Sequence, residues 1–98
     1  MSIQQYNPPH PGGFIKRVYL EPYGLGSNEV SAKLQVSAST FNRLINEKSD
    51  VSPEMALKLS KVIGRSPESW LLMQDNFNLS KAKNKIDLSN YDAIKFAI

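Results

Sequence analysis

The sequence predicts an all-α domain organised around a helix-turn-helix, and three observations carry that prediction. Residues 27–48, SNEVSAKLQVSASTFNRLINEK, hold two short runs with helical apolar spacing and a sharp break between them. The pair Ser-Pro then opens an apolar stripe twice, at Ser52–Pro53 and Ser66–Pro67, with Gly64 between the two. No stretch alternates convincingly in the manner of a half-buried strand. Five helices are expected, with the helix-turn-helix at about 27–47.

Residues 1–10 read as an extended arm. Pro8, Pro9 and Pro11 disfavour a long helix there. His10 is the only histidine, and between prolines it is expected to be a solvated arm residue. Catalysis and metal binding are both disfavoured at His10, because no partner of the right type lies nearby in the sequence. The first helix then starts at about Pro11 or Gly12 and runs to Leu20. Phe14, Ile15, Val18 and Tyr19 supply its apolar face, and Lys16 and Arg17 its solvated one. Pro22 and the glycines Gly24 and Gly26 end it.

The second helix puts Val30 and Leu34 on one face, with Ser31 beside them. After the break at Val36, Ser37 is placed to cap the third helix. There Phe41, Leu44 and Ile45 point one way, leaving Ser39, Thr40, Asn42 and Arg43 outside. A narrow apolar stripe opposite small hydrogen-bonding residues suits a helix that rests on a core and offers its other side to a groove.

Ser52 caps the fourth helix, Met55, Ala56, Leu59, Val62 and Ile63 form its stripe, and Gly64 stops it. Ser66 caps the fifth, Pro67 opens it, and Glu68 suits the positive end of its dipole. That helix carries Trp70, Met73 and Phe77 toward the core and extends as far as Lys85, with Asn78 and Ser80 as weak points midway. Leu72 lies off the core stripe and suits a symmetric dimer seam. Lys81, Lys83 and Lys85 read as a solvated helix end. The tail, residues 87–98, is too apolar to be idle. Its residues leave open a short strand, a fragment of helix, or a segment ordered by a partner.

The totals narrow the classes. A chain of 98 residues forms one domain and buries roughly 60–65% of its unfolded surface. At 41% hydrophobic and 21% charged it is globular rather than disordered. No run approaches a membrane span, and the N-terminus lacks the features of a secretory leader, so a cytoplasmic protein is expected. With no cysteine, neither disulfides nor thiolate metal sites are possible. The net charge of +3 is mildly basic. A monomer so weakly charged would hold DNA loosely, so a DNA partner implies a dimer. An enzyme is not expected: no activated nucleophile, paired acids or metal cluster is present, and Asp87 and Asp92 sit in a tail without a cleft. No cofactor is expected.

The chain also resembles a known family. The order of Gly24-Leu25, the two-helix unit and then residues 52–79, SPEMALKLSKVIGRSPESWLLMQDNFNL, is similar to the antitoxin branch of the lambda-repressor-like, or xenobiotic-response-element, helix-turn-helix proteins. More narrowly it resembles the HigA/VapI antitoxins. The residues that carry this are Ser52–Leu57, the Gly64-x-Ser66-Pro67-Glu68-x-Trp70-Leu71 junction, Gln74 with Phe77, and His10-Pro11-Gly12; they span about residues 10–80. The resemblance implies a five-helix lambda-repressor-like domain over residues 11–86. It also implies a homodimer that represses its own operon on double-stranded DNA, and that binds and silences a ribonuclease toxin.

By that resemblance Ser37, Ala38, Ser39, Thr40, Asn42 and Arg43 meet DNA. Ser27 and Asn28 touch the phosphate backbone, and Lys48 reaches phosphate from the following loop. Asn42 can pair with adenine and Arg43 with guanine or phosphate, while the Thr40 methyl suits a thymine methyl. Three positions depart from the family pattern. Ser31 stands where alanine is usual, acceptable if its hydroxyl bonds back to the helix. Gln35 and Glu47 stand where glycines are usual, at a strain of about 1 kcal/mol each if φ is positive there. Other readings are a stand-alone repressor without a toxin, and a protein-interaction module that has lost DNA binding.

Overall fold

In the computed structural model, which describes residues 7–97, the chain enters its first helix through His10. The imidazole Nδ1 accepts the Gly12 N–H at 2.9 Å, doing for α1 (Pro11–Ile15) what a serine or asparagine cap usually does. This corrects the expectation of a solvated arm residue: His10 is only 3% exposed. Its ring meets Phe77 edge to face, with centroids 4.9 Å apart. The flat body of an imidazole packs as an aromatic while one nitrogen serves the helix end. Of the expected arm, residues 1–6 lie outside the described residues.

The first helix does not continue with regular α geometry. Residues Lys16–Leu20 form a π-helical turn, with the Glu21 N–H donating to Lys16 O at 3.0 Å. The wider turn brings Leu20 beneath Ile15, five residues earlier, and both are buried. Val18, expected on the apolar face, is turned outward and is 39% exposed.

α2 (Ser27–Leu34) buries Val30, Ser31 and Leu34. The Ser31 hydroxyl donates to Asn28 O at 3.0 Å, so a buried serine is tolerated where the family pattern favours alanine. Gln35 follows in the left-handed region (φ +58°, ψ +44°), and the Val36 N–H reaches back to Ser31 O at 3.1 Å. α3 (Ala38–Ile45) begins at Ser37, whose Oγ accepts the Thr40 N–H at 3.0 Å. Just beyond its end Glu47 is also left-handed, at φ +62°.

α4 (Pro53–Val62) and α5 (Pro67–Lys85) are capped by Ser52 and Ser66, each with proline at the first helical position. Between them Gly64 takes φ +124° and Arg65 φ +67°. The Arg65 guanidinium lies over Phe14 and Trp70, 5.2 and 5.4 Å from their centroids. Asn78 does not break α5. Its side chain accepts from Gln74 Nε2 at 3.2 Å and donates to Asp50 Oδ2 at 3.1 Å, so it serves the tertiary structure instead of competing for the helix backbone.

The core is centred on Ile15, Phe41, Leu59 and Trp70, with Leu34 and Leu44 beside them. Where α1 crosses α3 the backbones touch: a Cβ at Gly12 would fall on the Leu44 carbonyl. The architecture is all-α, five helices with no strand among the described residues. Residues 86–97 form neither helix nor strand and are exposed throughout.

Candidate nucleic-acid interface

α2, the turn at Gln35 and α3 make the helix-turn-helix, and the two helices are held by one apolar seam. Val30 and Leu34 from α2 join Phe41, Leu44 and Ile45 from α3 in the core. That seam fixes which side of α3 faces out. Ser39, Asn42 and Arg43, three and four residues apart, share the opposite face; Ser39 and Arg43 are exposed and Asn42 is half-buried at its edge. Ala38 and Thr40 flank this strip and are exposed as well.

Ser37 is exposed, yet its hydroxyl is already committed. It accepts the Thr40 N–H and donates to Thr40 Oγ1 at 2.8 Å. This leaves the Thr40 hydroxyl hydrogen free to donate outward. At the start of α2, Asn28 is exposed and Ser27 half-buried. Gly26 supplies no side-chain cap there, so the first N–H groups of the helix keep their donor capacity. Lys48 is exposed in the loop after α3.

The loop carrying Lys48 is anchored from behind. The Val51 N–H donates to Gln74 Oε1 at 2.9 Å, and Asp50 is bound by Asn78. Asp50 Oδ1 also lies 3.9 Å from His10 Nε2, which has no hydrogen-bond partner among the described residues. Burial holds the His10 pKa below its ordinary value, against the pull of the Glu47 and Asp50 carboxylates. His10, Gln74 and Asn78 are therefore positioning residues that the sequence did not assign to the loop. A lone histidine among prolines and an asparagine in mid-helix carry no pattern that would have revealed them. Near this corner the Arg17 guanidinium and the Glu47 carboxylate both lie over Gly13, which has no side chain to keep them off.

Among the described residues no three His, Asp or Glu side chains converge as metal ligands. No helix of the described residues is long and apolar enough to cross a membrane.

Comparison with known proteins agrees with this geometry. A family model described as helix-turn-helix matches residues 17–70. Virulence-associated protein A of Dichelobacter nodosus is 42% identical over 76 residues, covering 76% of this chain and 74% of that protein. Among solved structures, the antitoxin GraA superposes with a TM-score of 0.77 at 31% identity, covering 82% of this chain and 86% of that one. The Pseudomonas aeruginosa antitoxin HigA, solved with the higBA promoter, gives a TM-score of 0.75 at 27% identity, covering 80% and 85%.

Proposed function

Since the chain belongs to the helix-turn-helix family of the xenobiotic-response-element type, we propose that it is the antitoxin of a toxin–antitoxin pair and a dimeric repressor of its own operon. The observation that carries the reading is the outward strip of α3. Ser39 and Arg43 are exposed and Asn42 half-buried beside them, on a helix whose other side is locked to the core by Phe41, Leu44 and Ile45. A rigid helix with a polar, uncovered side is what entry into a major groove requires. The HigA neighbour was solved with its promoter, which supports DNA as the partner.

In this reading Asn42 and Arg43 read base edges, and Ala38 and Ser39 allow close approach. Thr40 presents its methyl and its free hydroxyl hydrogen. Ser37 acts chiefly as the cap that orients Thr40. Ser27, Asn28 and Lys48 bind phosphate and set register. Leu72 and Leu79, seven residues apart on α5 and 60% and 57% exposed, form the dimer seam. The body is taken as residues 11–86, with residues 87–98 as a separate tail.

The test is a mobility-shift titration on the DNA upstream of its own gene at two salt concentrations. A sequence-specific complex whose affinity falls steeply with salt is expected. Unchanged affinity in the Asn42→Ala, Arg43→Ala double variant would instead mark a protein-interaction module. For the toxin, the gene beside this one is co-expressed: a stable complex that suppresses ribonuclease activity is expected. Absence of any complex, with operator binding intact, would leave a stand-alone repressor.

A further inference from the structure

Residues 86–97 expose five large apolar side chains, Ile86, Leu88, Tyr91, Ile94 and Phe96, at 47, 60, 68, 75 and 78%. So many unpartnered apolar groups in so short a stretch exceed what a solvated linker carries. Elsewhere on the molecule an apolar cleft of about 270 Å³ opens between the π-helical turn, α2 and the end of α4. Leu25, Val30, Val62 and Ile63 line it, and Glu29 and Lys33 stand a helical turn apart on α2 beside them. The tail carries the opposite pair: Asp92 and Lys95 flank Ile94.

We propose that this cleft receives the C-terminal tail of a second copy, with Ile94 and Phe96 seated in it, Asp92 facing Lys33 and Lys95 facing Glu29. The proposal rests on the dimer reading above and adds to it a specific exchange. Its geometry follows from α5. Leu72, Leu79 and Ile86 recur every seven residues, which places them on one stripe of the helix and its exit. Leu79 is the midpoint. Two antiparallel α5 helices crossing there set the partner's Ile86 against Leu72, at the end of α5 that follows Ile63. The partner's tail thus leaves near the α4–α5 junction, where Val62 and Ile63 line the cleft. The chain's own tail leaves from the opposite end, about 28 Å away for a helix of 19 residues. Returning along α5 would consume most of the roughly 35 Å that residues 86–96 can span. The second copy has the shorter path. Exchange of this kind would also tie each α2, and with it each α3, to the other protomer at a fixed separation.

The chain has no cysteine, so engineered pairs read cleanly. Leu25→Cys is made in one sample of full-length protein and Ala97→Cys in another; both residues are exposed. The two are mixed, allowed to exchange subunits and oxidised. A disulfide-linked mixed dimer is expected. Separately, the Ile94→Asp, Phe96→Asp double variant is expected to weaken the dimer at least tenfold in sedimentation equilibrium. Two results would overturn the exchange while leaving the dimer reading intact. One is a dimer that neither crosslinks in the mixture nor responds to the double variant. The other is a Leu25→Cys, Ala97→Cys chain that closes within one copy while the mixture stays uncrosslinked. Unsubstituted protein that remains monomeric at high concentration would remove the dimer and the exchange together.

Discussion

The Gln74 side-chain carbonyl accepts the Val51 backbone N–H at 2.9 Å, across 23 residues of chain. Both groups are buried, so the bond fastens the loop after α3 to α5. Replacing Gln74 by leucine leaves a buried N–H without a partner, at a cost of about 1–3 kcal/mol. For a domain of this size that lowers Tm by roughly 4–8 °C per kcal/mol. Thermal denaturation followed by far-UV circular dichroism checks it. A Tm unchanged within error would show that water replaces the bond.

Gly12→Ala places a methyl on the Leu44 carbonyl, and backbone on both sides leaves little room to yield. A loss of about 2 kcal/mol or more is expected. Because Leu44 is part of α3, operator affinity should fall even at temperatures where the variant is folded. Parallel measurement of Tm and of DNA affinity separates the two effects.

Gln35 and Glu47 hold φ of +58° and +62°. Glycine at either position removes the side-chain penalty of a left-handed backbone, although it also loosens the unfolded chain. Stabilisation of a few tenths to about 1 kcal/mol is expected at each. It should read as a raised urea midpoint with the slope unchanged. Gly64→Ala, at φ +124°, should move the midpoint the other way.

His10 makes stability depend on pH in one direction. Its folded-state pKa lies below the ordinary 6.5, so the unfolded chain binds the proton more readily. The contribution is present above the unfolded value and is lost as pH falls from about 6.5 toward the folded pKa. Protonation at Nδ1 would also set two N–H donors against each other at the Gly12 cap. Urea titrations between pH 5 and pH 8 should show this slope, and His10→Asn, which can still cap, should flatten it.

Among the proposed DNA contacts, Arg43 and Lys48 should separate by kind. Arg43→Ala is expected to lose about 1–3 kcal/mol and relax preference at one base position. Lys48→Ala should weaken binding evenly across sequences and reduce the salt slope by about one. Titrations against the operator and a single-base variant at two salt concentrations distinguish them.

Periodicity and caps make the helices legible in the amino-acid sequence. Ser37, Ser52 and Ser66 mark helix starts because one side-chain oxygen and one free N–H suffice, and both lie within four residues. The outward strip of α3 is legible for the same reason, since Phe41, Leu44 and Ile45 fix its opposite side. The π-helical turn is not, because apolar residues at Ile15, Val18, Tyr19 and Leu20 satisfy a 3.6-residue period just as well. Nor is the burial of His10. Its neighbours Phe77, Asp50 and Glu47 are far away in the sequence, and only tertiary packing brings them to it. Roles that depend on long-range contacts leave no local trace.

Trp70 is the only tryptophan, is wholly buried, and donates its indole N–H to Gly64 O at 2.8 Å. The molecule therefore carries one indole fluorophore, separable from its four tyrosines by selective excitation, shielded from solvent and held by the turn that joins its last two helices. Its emission should shift to the red as the interior opens, giving an optical gauge of folding that needs no label. Because the indole lies in the interior while Ser39 and Arg43 face outward, duplex binding should leave that signal nearly still.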